Sequence, residues 1–254
     1  MDPITSRKNP VAARFHLLAN DRAARRKEGM FLGQGEKLLG EALASGCLPD
    51  TVLYSENAPV LPPQVRCVAA AKELLAWISP MKSAPELIFS VRIPGESPIP
   101  LGRVLLAEDM QDPGNVGTMI RTAAAFDFDG VLLAGACADP WGPKAVRGSM
   151  GAVFRLRILE RENVRDALEE LSAAALPLYA AALTEDSEAA GRIVFPEQMV
   201  LAVGNEGHGL SEDVLRAAER IVRIPMEPGA ESLNAAAAAA VLMWETYRER
   251  IKNV

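Results

Sequence analysis

The stretch VLAVGNEGHGLSEDVL (residues 200–215) carries the clearest structural signal in the chain. Its first four residues are all apolar, which predicts a strand buried on both faces. Three glycines follow, and glycine lets a backbone bend sharply and approach a ligand closely. Ser211 is suited to cap a helix whose first turn holds Glu212 and Asp213. The pattern lacks the spacing of a dinucleotide or Walker loop, and taken alone it fits a ligand site and a tight turn equally well.

Outward from this stretch, the second half of the chain alternates apolar runs with helical patterns. Near-continuous apolar strands with helices between them predict an α/β fold with a parallel sheet covered on both faces. Loops at the carboxyl ends of such strands are where ligands bind. The predicted strands are residues 104–108, 130–134, 156–159, 178–183, 199–203 and 221–225, and the predicted helices are 116–126, 143–153, 163–175, 212–219 and 233–251.

Two further loops leave predicted strands at the same sheet edge. In DMQDPGNVGTMIRT (residues 109–122), Asp112-Pro113-Gly114 predicts a turn and Asn115 stands at a helix N-cap position. Arg121 has small neighbours one turn away on either side, which would leave its guanidinium uncovered. In RIPMEPGAESLNAAAAAA (residues 223–240), Ser232-Leu233-Asn234 opens a long helix. Taken alone, each loop also fits a purely structural interpretation. In the first, Asn115 caps a helix and Arg121 is an ordinary surface residue; in the second, Ser232 or Asn234 is the helix cap.

The first half reads as a small α/β domain. Residues 93–100 carry three prolines and a glycine and are predicted to be a linker, so the expected domains are 1–92 and 101–254. The elements predicted before the linker are helices at 11–26, 34–45 and 70–78 and strands at 51–54, 64–68 and 87–92.

The composition excludes several classes of protein. No apolar run reaches the ~18–20 residues of a membrane span, and the N-terminus lacks the apolar core of a signal peptide. The three cysteines are scattered and odd in number, and only two histidines are present, so neither disulfides nor a metal site is expected. We therefore expect a cytoplasmic protein with no membrane contact and no metal.

The charge is unevenly distributed. The net charge is −6, which argues mildly against nucleic acid, but residues 1–30 hold seven basic side chains against three acidic ones. A basic arm on an acidic body suits a polyanionic partner. A solvated helix end explains the same charges at least as well.

Taken in order, N-x-G-x-x-x-R, V-G-N-E-G-x-G-L and I-P-M-x-x-x-x-S-L-N resemble the three motifs of the SpoU (TrmH) branch of the SPOUT RNA methyltransferases. This resemblance covers the second half. The segments ITSRKNP (4–10), FLGQGEKLL (31–39) and SPMKSAPELIFSVRIP (79–94) more loosely resemble the family's L30e-like substrate-binding domain. The chain departs from the pattern at Gln34-Gly35-Glu36, where many relatives carry Glu-Gly, and at Ala235-Ala236, where Val-Ser is common.

The resemblance implies a deep trefoil knot in the second domain, a homodimer formed through that domain, and methyl transfer from S-adenosyl-L-methionine to a ribose 2′-hydroxyl, with ribosomal RNA expected as substrate. The residues that it assigns to catalysis are Arg121, Asn115, Glu206, Ser232 and Asn234. Those assigned to the cofactor are Leu183, Thr184, Gly204, Asn205, Ile224, Pro225, Met226 and Leu233. Those assigned to RNA are Arg7, Lys8, Arg14 and Arg147.

The role expected for Arg121 follows from its chemistry. A guanidinium hardly deprotonates in proteins, since its pKa exceeds about 12, so it is a poor general base. We expect it instead to stabilise the developing alkoxide, or a neighbouring phosphate, through charge-assisted hydrogen bonds. The apolar residues Leu242, Met243, Trp244 and Tyr247 of the last predicted helix fit a dimer contact or, more readily for any one of them, the core.

Of three alternatives to this interpretation, one is excluded and two remain. A Rossmann-type methyltransferase is excluded by order, because its glycine loop follows the first strand, whereas only one predicted strand follows Gly209. A transfer-RNA 2′-O-methyltransferase fits the same motifs. So does a non-catalytic RNA-binding or ribosome-assembly protein, although that alternative predicts eroded motifs.

Overall fold

The computed structural model describes residues 2–81, 85–227 and 232–251, and the backbone alone of Glu249. Residues 82–84, inside the segment 79–94 quoted above, and residues 228–231, inside the segment 223–240, lie outside the described residues. The chain divides into two units. Unit 1 consists of Met1–Gly95 and Asp139–Phe154, and unit 2 of Glu96–Ala138 and Arg155–Val254. The segment Asp139–Phe154, which follows the linker in sequence, therefore packs within the first unit.

Unit 1 is built on a mixed four-stranded sheet in the order β1-β4-β2-β3. β4 pairs antiparallel with β1 and β2, and β2 pairs parallel with β3. The elements are α1 (Pro10–Asn20), α2 (Arg22–Glu28), β1 (Met30–Gln34), α3 (Glu36–Ala44), β2 (Thr51–Tyr54), β3 (Arg66–Ala69), α4 (Lys72–Ile78), β4 (Leu87–Arg92) and, from the inserted segment, α6 (Pro143–Gly148).

Two predictions for unit 1 were wrong. The helix predicted over residues 11–26 is two helices, because the side chain of Asp21 accepts a hydrogen bond from the backbone N–H of Ala23 and so caps a second helix. The helix predicted from residue 34 begins at Glu36, and the strand β1 before it was not predicted.

The inserted segment is fastened to unit 1 by a buried ion pair and by aromatic packing. The guanidinium of Arg25 binds the carboxylate of Asp139 at 2.7 Å, and their side chains are 7% and 9% exposed. Arg25 also donates to the carbonyl oxygen of Leu18 at 2.7 Å. The Trp141 ring lies 5.0 Å from that of Phe31 between centroids. The ion pair and the ring contact join residues more than a hundred positions apart, so neither can be recognised from a local sequence pattern.

Unit 2 is built on a seven-stranded sheet, in the order β7-β6-β5-β10-β8-β11-β9, in which every pairing is parallel. Its strands are β5 (Arg103–Glu108), β6 (Gly130–Ala134), β7 (Arg157–Arg161), β8 (Leu178–Ala181), β9 (Glu188–Ala189), β10 (Met199–Val203) and β11 (Arg220–Arg223). Its helices are α5 (Pro113–Ala125), α7 (Val164–Ala173), α8 (Glu212–Ala217) and α9 (Ala235–Ile251). The predicted parallel α/β sheet is confirmed, and the short β9 was not predicted.

The apolar strands of unit 2 are covered on both faces, as their composition requires. Side chains at alternate positions of a strand point to opposite faces, and one set packs with α7 and α8 in a single core cluster. On the opposite face, α5 packs against α9 and β6, and α9 against β10. The strand order reverses between β5 and β10, which makes the carboxyl ends of these two strands the expected position of a ligand crevice.

Within the residues that the structure describes, no helix combines the length and the apolarity needed to cross a bilayer.

Candidate functional site

A cleft of about 390 Å³ opens at the carboxyl edge of the parallel sheet in unit 2. The chain segments that follow β8, β10 and β11 form its walls, together with the first turns of α9. Much of the lining is small or apolar, including Ala182, Ala235 and Ala238. Of the residues predicted for the cofactor, seven line the cleft and Pro225 does not; the seven are Leu183, Thr184, Gly204, Asn205, Ile224, Met226 and Leu233.

The loop between β10 and α8 is folded back on itself. The backbone groups of Asn205 and Gly209 exchange hydrogen bonds of 3.1 and 2.9 Å. Gly209 has a φ of 71°, which side chains disfavour, and a Cβ on Gly204 would lie 2.2 Å from the carbonyl carbon of Gly209. Both glycines are therefore required by the fold of the loop, whether or not a ligand is bound.

The side chain of Asn205 ties this loop to the end of β5. Its Nδ2 donates to the carbonyl oxygen of Asp109 at 2.8 Å, and its Oδ1 accepts from the backbone N–H of Gly207 at 2.7 Å. The backbone N–H of Ser211 donates to the carboxylate of Glu108 at 2.8 Å. The loop is thus held in place by side chains from two adjacent strands before any ligand is considered.

Glu206 brings the three motif segments together. Its Oε1 accepts from Nδ2 of Asn115 at 2.9 Å, from Nδ2 of Asn234 at 2.5 Å and from the backbone N–H of Ala235 at 3.3 Å. Asn234 also donates to Oδ1 of Asn115 at 3.3 Å. Segments around residues 115, 206 and 234 therefore meet at one carboxylate, which itself lines the cleft.

The cap of α5 differs from the prediction. Asp112, not Asn115, is the N-cap, since its Oδ1 accepts from the backbone N–H groups of Gly114 at 2.6 Å and Asn115 at 3.0 Å. Because α5 starts at Pro113, Asn115 lies inside its first turn. The Asn115 amide is thereby left free of capping and reaches Glu206 instead.

The remaining predicted catalytic residues differ in their surroundings. Ser232 is exposed and lines the cleft. Asn234 caps α9, since its Oδ1 accepts from the backbone N–H groups of Ala236 and Ala237. Arg121, on α5, is exposed and does not line the cleft. Its guanidinium has no hydrogen bond or ion pair with any residue that the structure describes.

A His–Asp pair at the rim of the cleft was not predicted from the sequence. Nε2 of His208 lies 3.5 Å from Oδ2 of Asp109, and His208 lines the cleft. Asp109 has a φ of 52°, and its Oδ1 accepts from the backbone N–H of Ala136 at 2.6 Å. An acidic residue directly after a buried strand is the signal that would have drawn attention to Asp109.

The basic residues predicted to bind RNA lie in unit 1. The guanidinium of Arg7 lies 5.3 Å from the centroid of Trp77, which stacks on His16. Lys8 is exposed. Arg14 is half-buried, and it forms ion pairs with Glu28 at 2.6 Å and Asp50 at 3.2 Å, which leaves less of its charge available to a phosphate. Arg147 is exposed on α6.

Neither the cysteines nor the acidic side chains form a metal centre in the described ranges. Cys47, Cys67 and Cys137 form no disulfide within the described residues. Cys137 is buried at the end of β6, where it accepts a hydrogen bond from the backbone N–H of Met110. Burial raises the pKa of the Cys137 thiol to about 11, so it is a structural thiol with no thiolate character near neutral pH.

The chain is similar to known proteins over nearly its whole length. Residues 102–244 match the model of the SpoU rRNA Methylase family. The chain is 31% identical to the 23S rRNA (guanosine(2553)-2′-O)-methyltransferase RlmP of Bacillus subtilis, over 96% of this chain and 98% of that protein. It is 33% identical to a 23S rRNA (uridine(2479)-2′-O)-methyltransferase of Streptomyces viridochromogenes, over 98% and 92% of the two chains.

Solved structures agree with this match. The SpoU methyltransferase AviRb from S. viridochromogenes, in complex with the cofactor AdoMet, superposes with a TM-score of 0.83 at 28% identity and covers 96% of this chain and 99% of its own. A solved structure concerned with the 2-OH methylation of C/U34 on tRNA covers only 60% of this chain, with a TM-score of 0.53.

Proposed function

The chain belongs to the SpoU rRNA methylase family, and from that premise we propose that it transfers a methyl group from S-adenosylmethionine to a ribose 2′-hydroxyl of ribosomal RNA. Relatives that match along nearly their full length are 23S rRNA 2′-O-methyltransferases. The observation that carries the proposal for this chain is the convergence of Asn115, Glu206 and Asn234 beside a cleft of cofactor size.

The cleft fits the cofactor in size and chemistry. At about 390 Å³ it lies within the usual range of ~300–1,000 Å³ for small-molecule pockets, and its apolar walls suit an adenine ring. Leu183, Ile224 and Leu233 would contact the apolar parts, and the backbone at Gly204 and Met226 would hold the polar ones. When bound, S-adenosylmethionine supplies a sulfonium-activated methyl group, so the protein has to provide position and electrostatics rather than covalent help.

The residues around Glu206 position the ribose. Three donors converge on Oε1, which holds the carboxylate in one orientation. Glu206, Ser232 and His208 line the cleft and offer a carboxylate, a hydroxyl and an imidazole to the ribose hydroxyl and its proton. Asn115 and Asn234 act through Glu206 as positioning residues.

We assign to Arg121 the stabilisation of the negative charge that develops on the ribose oxygen during methyl transfer. Its guanidinium has no partner among the described residues, so its five donors are available to the ribose oxygen or to an adjacent phosphate. Arg121→Lys keeps the charge but loses the planar fork, and kcat is expected to fall about 50-fold. Near-normal turnover of this variant would remove Arg121 from the mechanism.

Ribosomal RNA is preferred over transfer RNA because the rRNA enzymes match 96% and 98% of this chain and so extend into unit 1, whereas a solved structure concerned with tRNA methylation covers 60% of it. The basic side chains Arg7, Lys8, Arg14 and Arg147 of unit 1 would contact RNA phosphates. A cytoplasmic location is proposed from the similarity to the Bacillus subtilis enzyme.

The finer fold is proposed on the same basis. A trefoil knot in unit 2 is supported by the end of the chain, which turns back after β11 so that α9 packs against α5 and β10. An L30e-like domain at 1–92, a linker at 93–100 and a methyltransferase domain at 101–254 are proposed from the mixed sheet of unit 1 and from the absence of helix or strand in residues 93–100, with the difference that Asp139–Phe154 packs within unit 1.

A homodimer through unit 2 is supported by an apolar stripe on α9. Val241, Trp244 and Ile251 recur at helical spacing and are 43%, 40% and 45% exposed, whereas Leu242 and Met243 are core. Trp244→Glu is expected to yield a monomer in light scattering, while the exposed control Glu212→Gln leaves the mass unchanged.

The test of the function uses methyl-labelled cofactor with purified rRNA and tRNA. The expected result is label in rRNA, at one position whose 3′ phosphodiester resists alkali because the 2′-hydroxyl is blocked. Label on a base, or in tRNA alone, would contradict the assignment. Cofactor binding by calorimetry without transfer to any RNA would favour the non-catalytic RNA-binding alternative.

A further inference from the structure

A second cavity, of about 330 Å³, lies within unit 1 and has no part in the site described above. It is formed by the turn between β1 and α3 on one side and by α6 on the other. Its floor is apolar, with Leu32, Leu38 and Val146 at most 9% exposed. Lys37 and Arg147 line it from exposed positions. The cavity thus combines an apolar interior with a cationic rim.

The two cations at this rim are not neutralised by the protein. Neither Lys37 nor Arg147 forms an ion pair with any residue in the described ranges. The carboxylate in the lining, Glu41, has an interaction of its own. In a chain with a net charge of −6, two uncompensated cations beside one cavity point to an anionic ligand.

A polar group in the wall also lacks a partner. Oε1 of Gln34 accepts from the hydroxyl of Ser79 at 2.8 Å, whereas its Nε2 is buried and has no acceptor among the described residues. The first turn of α3 has no side-chain cap. Buried donors without acceptors are costly. Because Nε2 is buried, the Gln34 amide would have to turn toward the cavity to donate to a carbonyl oxygen or a ring nitrogen of a ligand.

We propose that this cavity binds one unstacked nucleotide of the RNA, with the base against the apolar floor and the phosphate at Lys37 and Arg147. The volume suits one base rather than a helical segment. Proteins that recognise RNA by sequence commonly take up single unstacked bases in this manner. The inference rests on the proposed function for the identity of the polymer, and it adds a recognition site distinct from the cofactor cleft.

Two methionines allow the cavity and the cleft to be observed separately. Met150 lines the cavity and is 38% exposed, whereas Met226 lines the cleft. With ¹³C-methyl methionine in the full chain, titration with uridine 5′-monophosphate is expected to shift the Met150 resonance and leave Met226 unmoved. S-adenosylmethionine is expected to do the reverse. Inorganic phosphate alone is expected to shift Met150 much less, since it leaves the floor empty.

Charge removal then tests the rim. Lys37→Ala with Arg147→Ala is expected to weaken uridine monophosphate binding about tenfold, and to raise the KM for rRNA about tenfold at unchanged kcat and unchanged cofactor affinity. Lys72→Ala, an exposed lysine of unit 1 away from the cavity, is the matched control and should behave as wild type. The Met226 response to cofactor checks that the variants are folded.

Several outcomes would overturn the inference. These are a silent Met150, an equal response to inorganic phosphate and to the nucleotide, and unchanged affinity in the double variant. Its failure differs from failure of the proposed function. Normal methylation of rRNA with a silent Met150 rejects only the cavity, whereas a Met150 response without methyl transfer to any RNA rejects only the proposed function.

Discussion

The cleft of unit 2 and the cavity of unit 1 are similar in size, at about 390 and 330 Å³, but they are built in opposite ways. In the cleft, Asn115, Glu206 and Asn234 satisfy one another. In the cavity, Lys37, Arg147 and the amide nitrogen of Gln34 have no partner in the described part of the chain.

This difference corresponds to what a reaction site and a recognition site each require of their polar groups. A reaction site gains from polar groups that are already oriented, because no reorganisation is then needed in the transition state. A recognition site gains from polar groups whose hydrogen bonds only the ligand completes, because other ligands then leave them unpaired. Activity at the cleft should therefore fall even when a polar side chain is replaced by one of the same size and shape. Ligand binding in the cavity should fall when a charge at its rim is removed.

The largest expected effect is that of Glu206→Gln, which keeps the shape of the side chain and one acceptor oxygen but removes the negative charge. The three hydrogen bonds on Oε1 then lose their charge assistance, and this is expected to lower single-turnover methyl transfer roughly 1,000-fold. Glu212→Gln is the control, because that side chain is 87% exposed on α8. If Glu206→Gln retained more than a tenth of the activity, the preorganised character of the cleft would be refuted.

Asp139→Asn tests how strongly the ion pair with Arg25 holds the inserted segment in unit 1. It leaves the buried guanidinium of Arg25 without its counterion, and unfolding in urea should show a loss of about 3 kcal/mol, a factor of roughly 150. Asp139→Leu combined with Arg25→Met removes both charges and should recover most of this loss. A double variant as unstable as the single one would mean that packing, not charge, fastens the inserted segment.

Gly209→Ala probes the backbone of the cleft. A Cβ at this position meets no atom within 4 Å, so the strain comes only from the φ of 71°. At about 1–2 kcal/mol this strain should weaken cofactor binding about tenfold in calorimetry. Gly207→Ala, at a position without positive φ, should cost less. Equal effects of the two variants would show that the loop conformation is not what binds the cofactor.

The smallest expected effect concerns the exposed pair Arg161–Glu170 on β7 and α7. The hydrogen bond from Arg161 lowers the pKa of Glu170 below its ordinary 4.5. A lowered folded-state pKa contributes stability that is present above pH 4.5 and lost as the pH falls through the folded value. Glu170 is 40% exposed, so Glu170→Gln should cost at most about 0.5 kcal/mol at neutral pH and flatten the acid limb. An unchanged acid limb in urea unfolding would contradict this.

The secondary structure of unit 2 was largely predictable because its strands are short apolar runs that can be recognised without knowing the rest of the chain. Runs such as Met199–Val203 and Gly130–Ala134 are apolar throughout, and the prediction and the structure agree on both ranges. In unit 1 the local signals compete. The pattern of residues 11–26 is helical throughout, yet the carboxylate of Asp21 starts a new helix, and β1 contains a glycine and a glutamine that weaken its strand signal.

The candidate site was predictable in its residues but only partly in its geometry. Motif spacing drew attention to Asn115, Glu206 and Asn234, and they meet. The same reasoning did not find the pair of Asp109 and His208, because their approach depends on how two loops from neighbouring strands fold. It also did not find the cavity at Lys37 and Arg147, whose walls come from segments a hundred residues apart.

The amino-acid sequence by itself determined the α/β class, the parallel sheet and the family, because apolar runs, glycines and short motifs act over a few residues at a time. Only the tertiary structure decided that Asp139–Phe154 packs within unit 1, that Asp112 rather than Asn115 caps α5, and that Glu206 is the point where three segments meet. The physical reason is that buried ion pairs, aromatic packing and shared acceptors depend on distance in space, and a chain of 254 residues brings distant positions together without marking them locally.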